Sequence, residues 1–171
     1  MKPSRVRQCW ESGRPAFCTT VHLTDPSVAE MVSLLGFDCI WIDLEHHGTS
    51  VETASHMMRA ARTGEADVMA RPGKGEYMRM GRLLEAGAQG ILYPRCESAE
   101  EAAEVARWAR FAPAGERGFD GSNPDNRYGE SPPADYIAAA NAETWLAVQI
   151  ESPAAVERAE AIAAVEGVDL L

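Results

Sequence analysis

A largely apolar run, Phe37-Asp38-Cys39-Ile40-Trp41-Ile42, leads without a break into Asp43-Leu44-Glu45-His46-His47. Acids and imidazoles delivered by a strand buried on both faces bring proton-transfer and metal-binding chemistry to the rim of a core. His46 is the leading candidate for a general base, because imidazole titrates near neutrality and neighbouring acids orient it. The competing reading is a rim histidine hydrogen-bonded for structure. His47 ranks behind it, and His22 and His56 read as structural or surface groups. Asp43 and Glu45 are supporting acids that hold the histidine or stand behind a metal ion.

Two further positions offer ligand-binding chemistry. Arg71 follows Met69-Ala70 and precedes Pro72, a rigid place from which a guanidinium can grip a carboxylate or 2-oxo acid with two hydrogen bonds, or pair with Asp43 or Glu45. Glu151 ends the apolar run Trp145 to Ile150 and can serve a divalent cation as an oxygen ligand; the alternative is an acid favoured by the next helix dipole. Neither GxxxxGK[ST] nor a strand-linked GxGxxG is present, so nucleotide binding is not supported.

The elements that must position these groups alternate. Residues 16–23, 37–44, 66–70, 89–93, 145–150 and 168–171 read as strands. Residues 25–35, 50–62, 76–85, 98–110, 134–142 and 153–165 read as helices, with residues 1–14 as a frayed lead-in before a domain spanning 15–171. Residues 111–132, rich in Gly, Pro, Asn and Asp, are too long for a routine connection and read as functional or mobile. Asp43, Glu45, His46, Arg71, Arg95 and Glu151 all fall just after strands. Parallel βα units would gather them at one end, which favours an α/β (β/α)8 barrel of TIM type, with about five to six units here, over a doubly wound sheet.

The net charge is −10 over 171 residues, and the sixteen Lys and Arg are scattered. Such a balance argues against nucleic acid or an anionic membrane surface as partner. Cys9, Cys18, Cys39 and Cys96 lack CxxC spacing and read as reduced thiols, Cys18 and Cys39 packing as small hydrophobes. With no apolar run of transmembrane length, the expected setting is the cytoplasm.

Taken in order, Ile-Asp-x-Glu-His, the strand ending Arg-Pro, Leu84-Glu85-Ala86-Gly87-Ala88-Gln89-Gly90, Pro113-Ala-Gly-Glu-Arg-Gly118 and Val148-Gln149-Ile150-Glu151 resemble the metal-dependent pyruvate aldolases of the HpcH/HpaI family. The resemblance runs from about Gly13 to the last residue. It implies reversible cleavage of a 4-hydroxy-2-oxo acid to pyruvate, or a similar 2-oxo acid, and an aldehyde. It further implies a divalent cation that stabilises the enolate, magnesium or manganese first and cobalt or zinc as alternatives.

Carried over by position, His46 is the base, Arg71 binds the 2-oxo acid and polarises its carbonyl, Glu151 is one metal ligand, and Asp43 and Glu45 support them. Glu85 stands where the family commonly has an Asp that reaches a neighbouring subunit's histidine, which implies a homo-oligomer with shared sites. The glycine-rich loop near Gly121 and Ser122 loosely resembles the family's substrate-carboxylate loop. His47 takes a place where the family often has a small residue.

The family continues its sixth strand into a Gly-Pro-x-Asp segment carrying a second metal ligand, which lies outside residues 1–171. From these residues alone the expectation is an incomplete barrel belonging to a longer protein, with weak metal binding and negligible turnover. Two rival readings are a catalytically silent 2-oxo-acid-binding or assembly barrel and a lyase acting on a CoA thioester, the latter disfavoured by the lack of a basic stretch.

Overall fold

Five short runs rich in apolar residues become parallel strands in the computed structural model, which describes residues 1–171. They are β1 (Cys18–Thr20), β2 (Cys39–Asp43), β3 (Asp67–Arg71), β4 (Gly90–Tyr93) and β5 (Trp145–Val148). Their order in the sheet is β1-β2-β3-β4-β5 and every pairing is parallel. Each strand therefore lies beside its sequence neighbour, and the order never reverses to make a switch point. Right-handed crossovers that always step in one direction keep their helices on one side of the sheet. This is the arrangement of a (β/α)8 barrel, incomplete over these residues. Leu170 adds one parallel bridge to Ala147 at the far edge, where the sixth strand was expected.

The helices are α1 (Arg5–Glu11), α2 (Pro26–Leu34), α3 (Val51–Ala61), α4 (Tyr77–Ala86), α5 (Ala99–Ala109), α6 (Pro133–Glu143), α7 (Pro153–Val156) and α8 (Ala159–Ala163). Asp25, Ser50 and Ser98 cap α2, α3 and α5 with their side chains. Gly87 ends α4 at φ +117, and a Cβ there would run into the Arg62 guanidinium.

The period of two along each strand divides the interior. Ile40, Ile42, Val68, Ala70, Ile91, Leu146 and Val148 face the helices and join a core of 27 buried residues. The alternate positions Cys39, Met69, Trp145 and Ala147 face the lumen side, where Val6 joins them in a much smaller cluster against Trp10, Trp41 and Leu92. Helix-side packing carries most of the apolar burial, and the lumen face carries the polar strand ends. Gly90 is required beneath this layer, since a Cβ there would overlap the Trp145 indole.

Several expectations are corrected. Residues 1–14 are not frayed: Ser4 caps α1, whose Val6 and Cys9 are buried, because β2 and β3 begin near buried acids that need donors. Asp67 accepts from Ser4 Oγ at 2.5 Å, Arg5 N at 2.9 Å, Val6 N at 3.1 Å and Trp145 Nε1 at 3.3 Å. Asp38 takes Arg5, Arg14 and the Phe17 amide, and its carboxyl sits well below the usual range, the Arg14 hydrogen bond being the largest cause. The first strand is three residues rather than eight, and Cys18, on this edge strand, is exposed rather than packed. Residues 153–165 form two short helices, the chain turning at Arg158, which reaches the Glu97 carbonyl at 3.1 Å.

The 111–132 segment has neither helix nor strand but is pinned by polar contacts. Arg117, Asn123, Asp125 and Asn126 are buried. Tyr136 Oη donates to Asp125 at 3.0 Å and Arg62 Nη1 to the Pro124 carbonyl at 2.7 Å.

Asp67→Ala would strand four buried or half-buried donors at once. We expect it to lower unfolding free energy by about 2–4 kcal/mol, read by urea titration, because unsatisfied buried donors cost more than an average hydrogen bond contributes.

Candidate active site

Asp43 and Arg71 are register partners at the ends of β2 and β3, on the lumen face. Their side chains meet as a fork: Arg71 Nε donates to Asp43 Oδ1 at 2.9 Å and Nη2 to Oδ2 at 2.6 Å. Arg71 Nη1 donates to Gln149 Oε1, beyond β5, at 3.2 Å, and the guanidinium lies 4.9 Å from the Trp41 ring centroid. Arg71 is only 8% exposed, so its charge requires this carboxylate. A guanidinium has five N–H groups, and these bonds use three; each terminal nitrogen keeps one for a ligand.

Burial alone would raise the Asp43 carboxyl. The Arg71 fork and the Glu45 and His46 amides outweigh it and bring the pKa down to about 2. The Glu45 amide donates to Oδ1 at 2.9 Å and the His46 amide at 3.4 Å, so one carboxylate fixes both the arginine and the turn that follows β2.

Glu45 stands beside this pair. Its Oε2 is 3.5 Å from Arg71 Nε and 3.5 Å from His46 Nε2, and its Oε1 is 3.5 Å from Arg95 Nη2. The His46 side chain is 67% exposed at the rim. His47 points back toward the fork, with Nε2 3.7 Å from Asp43 Oδ2 and its ring 4.2 Å from that of His22. Glu151 Oε2 accepts the Arg95 amide at 2.9 Å; Arg95 holds φ +49, and its carbonyl takes Lys74 Nζ at 2.6 Å.

Asp43, Glu45, His46 and Arg71 are thus brought together, and the Arg95 backbone joins Glu151 to the same mouth. Glu85 is elsewhere: it lies on α4 beside Arg82, Arg117 and Asp120 in a cleft of about 440 Å³ that contains no strand-end residue. Burial raises its carboxyl. Gly121 and Ser122 belong to the pinned loop on that side, Ser122 bordering Glu85 and Asp120, and within this chain they do not meet Arg71.

Gln149 is the site residue that sequence reasoning passed over. Its signal was available, since 145, 147, 149 and 151 share one face of an extended segment. Glu151 offers a hard oxygen suited to a divalent cation, but no group of three or more His, Cys, Asp or Glu gathers in this chain to hold a metal ion. The donors fit such a cation in kind and supply only part of its shell.

Residues 19–171 match the family described as HpcH/HpaI aldolase/citrate lyase. The chain belongs to the HpcH/HpaI family. It is 36% identical over 147 residues to a 5-keto-4-deoxy-D-glucarate aldolase of Klebsiella pneumoniae, covering 86% of this chain and 57% of that protein. It is likewise 36% identical over 155 residues to a hydroxypyruvate/pyruvate aldolase of Delftia acidovorans, covering 91% of this chain and 57% of the relative. The crystal structure of an HpcH/HpaI aldolase/citrate lyase family protein from Burkholderia cenocepacia superposes with a TM-score of 0.89 at 30% identity, over 98% of this chain and 67% of that one. The chain spans a little over half the length of the HpcH/HpaI relatives named by sequence.

Asp43 has a folded pKa of about 2 against an ordinary 3.8, a depressed value. Its contribution to stability is complete above about pH 4 and is lost as pH falls toward 2. The pH-dependent part of the difference between wild type and Asp43→Asn, about 2 kcal/mol near neutrality, should vanish across that window in urea unfolding series.

Proposed function

We propose that this chain carries the 2-oxo-acid half of an aldolase that cleaves a 4-hydroxy-2-oxo acid to pyruvate, or a close 2-oxo acid, and an aldehyde. The observation that carries this reading is the Arg71 guanidinium, locked by Asp43 and Gln149 with an N–H to spare on each terminal nitrogen. A planar 2-oxo carboxylate offers adjacent oxygens that such donors can hold, and a carbonyl held this way is polarised toward the enolate. The aldolases to which the chain is similar support the reaction class.

In this reading His46 moves the proton on the carbon beside the 2-oxo group, with Glu45 limiting its range at 3.5 Å. Glu151 holds one position of a divalent cation, magnesium or manganese first. When bound, such a cation supplies Lewis-acid stabilisation of the enolate oxygen. Arg71 binds and orients the 2-oxo acid, and Asp43 keeps Arg71 aimed. Glu85 and the Gly121–Ser122 loop, remote from Arg71 in their own chain, act on a neighbouring subunit's site in a homo-oligomer.

The test is solvent deuterium exchange into the pyruvate methyl group, followed by proton NMR with manganese or with EDTA, on residues 1–171 and on a chain extended to the natural end of its gene. Metal-dependent exchange is expected in the extended chain, with His46→Ala slowing it on the order of 100-fold, the usual scale for loss of a general base. No exchange in either chain with any divalent cation, although both are folded, would sink the aldolase reading.

A further inference from the structure

Tyr93 closes β4, and Arg95, two residues on, leaves the strand in the left-handed region at φ +49. Its backbone is anchored on both sides: the amide donates to Glu151 Oε2 at 2.9 Å, and the carbonyl accepts Lys74 Nζ at 2.6 Å. Its side chain is not. The guanidinium is 58% exposed at the rim, and its nearest anion is Glu45 Oε1, 3.5 Å from Nη2 and too far for a good hydrogen bond.

Glu45 forms a wall between two arginines. Its side chain is only 9% exposed; Oε2 faces Arg71 Nε at 3.5 Å and Oε1 faces Arg95. The two guanidinium groups therefore stand on opposite oxygens of one acid, Arg71 buried behind the site and Arg95 open at its mouth.

We propose, on the aldolase reading, that Arg95 holds the anionic group of the second substrate, so that the aldehyde taken by this site carries a carboxylate of its own.

A 2-oxo acid fills the buried end. With its carboxylate and carbonyl oxygens directed at Arg71, which is 8% exposed, and at a cation on Glu151, its methyl carbon and whatever joins that carbon extend toward the rim. Arg95 borders this space from two directions, through its amide on Glu151 and its guanidinium beside Glu45. An aldehyde with a carboxylate at its far end brings two oxygens to a guanidinium whose N–H fork matches them. Exchanging the loose contact with Glu45 for a bidentate one costs Glu45 little, because Arg71 and His46 both remain 3.5 Å from its Oε2.

The remaining groups of the mouth would otherwise repel such a substrate. Asp43, Glu45 and Glu151 are acids. Arg71 is matched by Asp43, and Lys74 is occupied by the Arg95 carbonyl and by Glu101 at 3.1 Å. Arg95 is thus the cation left at the rim for a charged group, and a neutral aldehyde has no use for it.

The test is the addition of pyruvate to 4-oxobutanoate and to glyoxylate, each against its own methyl ester, with the manganese-loaded chain extended to the natural end of its gene and the products separated by chromatography. The ratio of kcat/KM for acid over ester is taken within each protein, so a general loss of folding or of enolate formation cancels. In the wild type we expect the acid to be favoured about 10- to 100-fold in at least one pair, and Arg95→Met to bring that ratio to about threefold or less. Arg95→Lys, which keeps the charge without the fork, should recover part of the preference. Arg95→Gln repeats the comparison should the methionine variant fail to fold.

Acids taken no better than their esters by the wild type, or a preference that survives in Arg95→Met, would overturn the role of Arg95 and leave the aldolase reading intact. Absence of pyruvate exchange in the wild-type extended chain would remove that reading itself, and this inference with it.

Discussion

The Asp43–Arg71 fork is the interaction on which the mouth depends. Placing a guanidinium in an 8%-exposed position against the Trp41 face is tolerable only beside a carboxylate, because desolvating an unpaired cation costs several kcal/mol. Parallel pairing in register sets the two residues side by side on one face before any side chain turns. Asp43 then accepts two backbone N–H groups from the residues that follow it. The carboxylate that aims Arg71 therefore also shapes the turn bearing Glu45, His46 and His47. Ion pairing, backbone shape and the aim of Arg71 share one group, and changing it alters all three.

The opposite end of the lumen follows the same logic with a different outcome. β3 begins in Asp67 and ends in Arg71, with Met69 between them on the same face, so one strand contributes a polar group to each end of the apolar lumen layer. At the lower end the acid is consumed by structure, because Ser4, Arg5, Val6 and Trp145 take up its oxygens and dock α1. At the upper end the arginine keeps N–H groups unspent. The two buried charges differ in how many hydrogen-bonding positions their protein partners leave open.

The strand-end gathering of Asp43, Glu45, His46, Arg71 and Glu151 was legible in the sequence because it depends on alternation and on parallel βα units, both local patterns. The barrel-type order was legible for the same reason. What escaped depended on contacts distant in sequence. α1 looked frayed because its anchors, Asp38 and Asp67, lie tens of residues away. The 111–132 loop looked open because its hold is a set of polar contacts among Asp125, Tyr136 and Arg62, which composition does not display. Gln149 was overlooked because an amide announces no chemistry until an arginine is found against it.

His47 shows the limit most clearly. Along a continued strand, residues 43 and 47 would stand about 13 Å apart, at about 3.3 Å per residue. The contact at 3.7 Å exists because the chain does not continue straight: it wraps around the Asp43 carboxylate through the Glu45 and His46 amides and returns His47 to the carboxylate's other oxygen. A side chain that hydrogen-bonds the backbone just ahead of it turns the chain sharply, and Asp does this readily. His46 ranked first in the sequence on its neighbouring acids, and linear spacing gives no sign of the turn that brings His47 back to Asp43. Once the turn is in place, the histidine farther along the chain is the one that faces the buried acid.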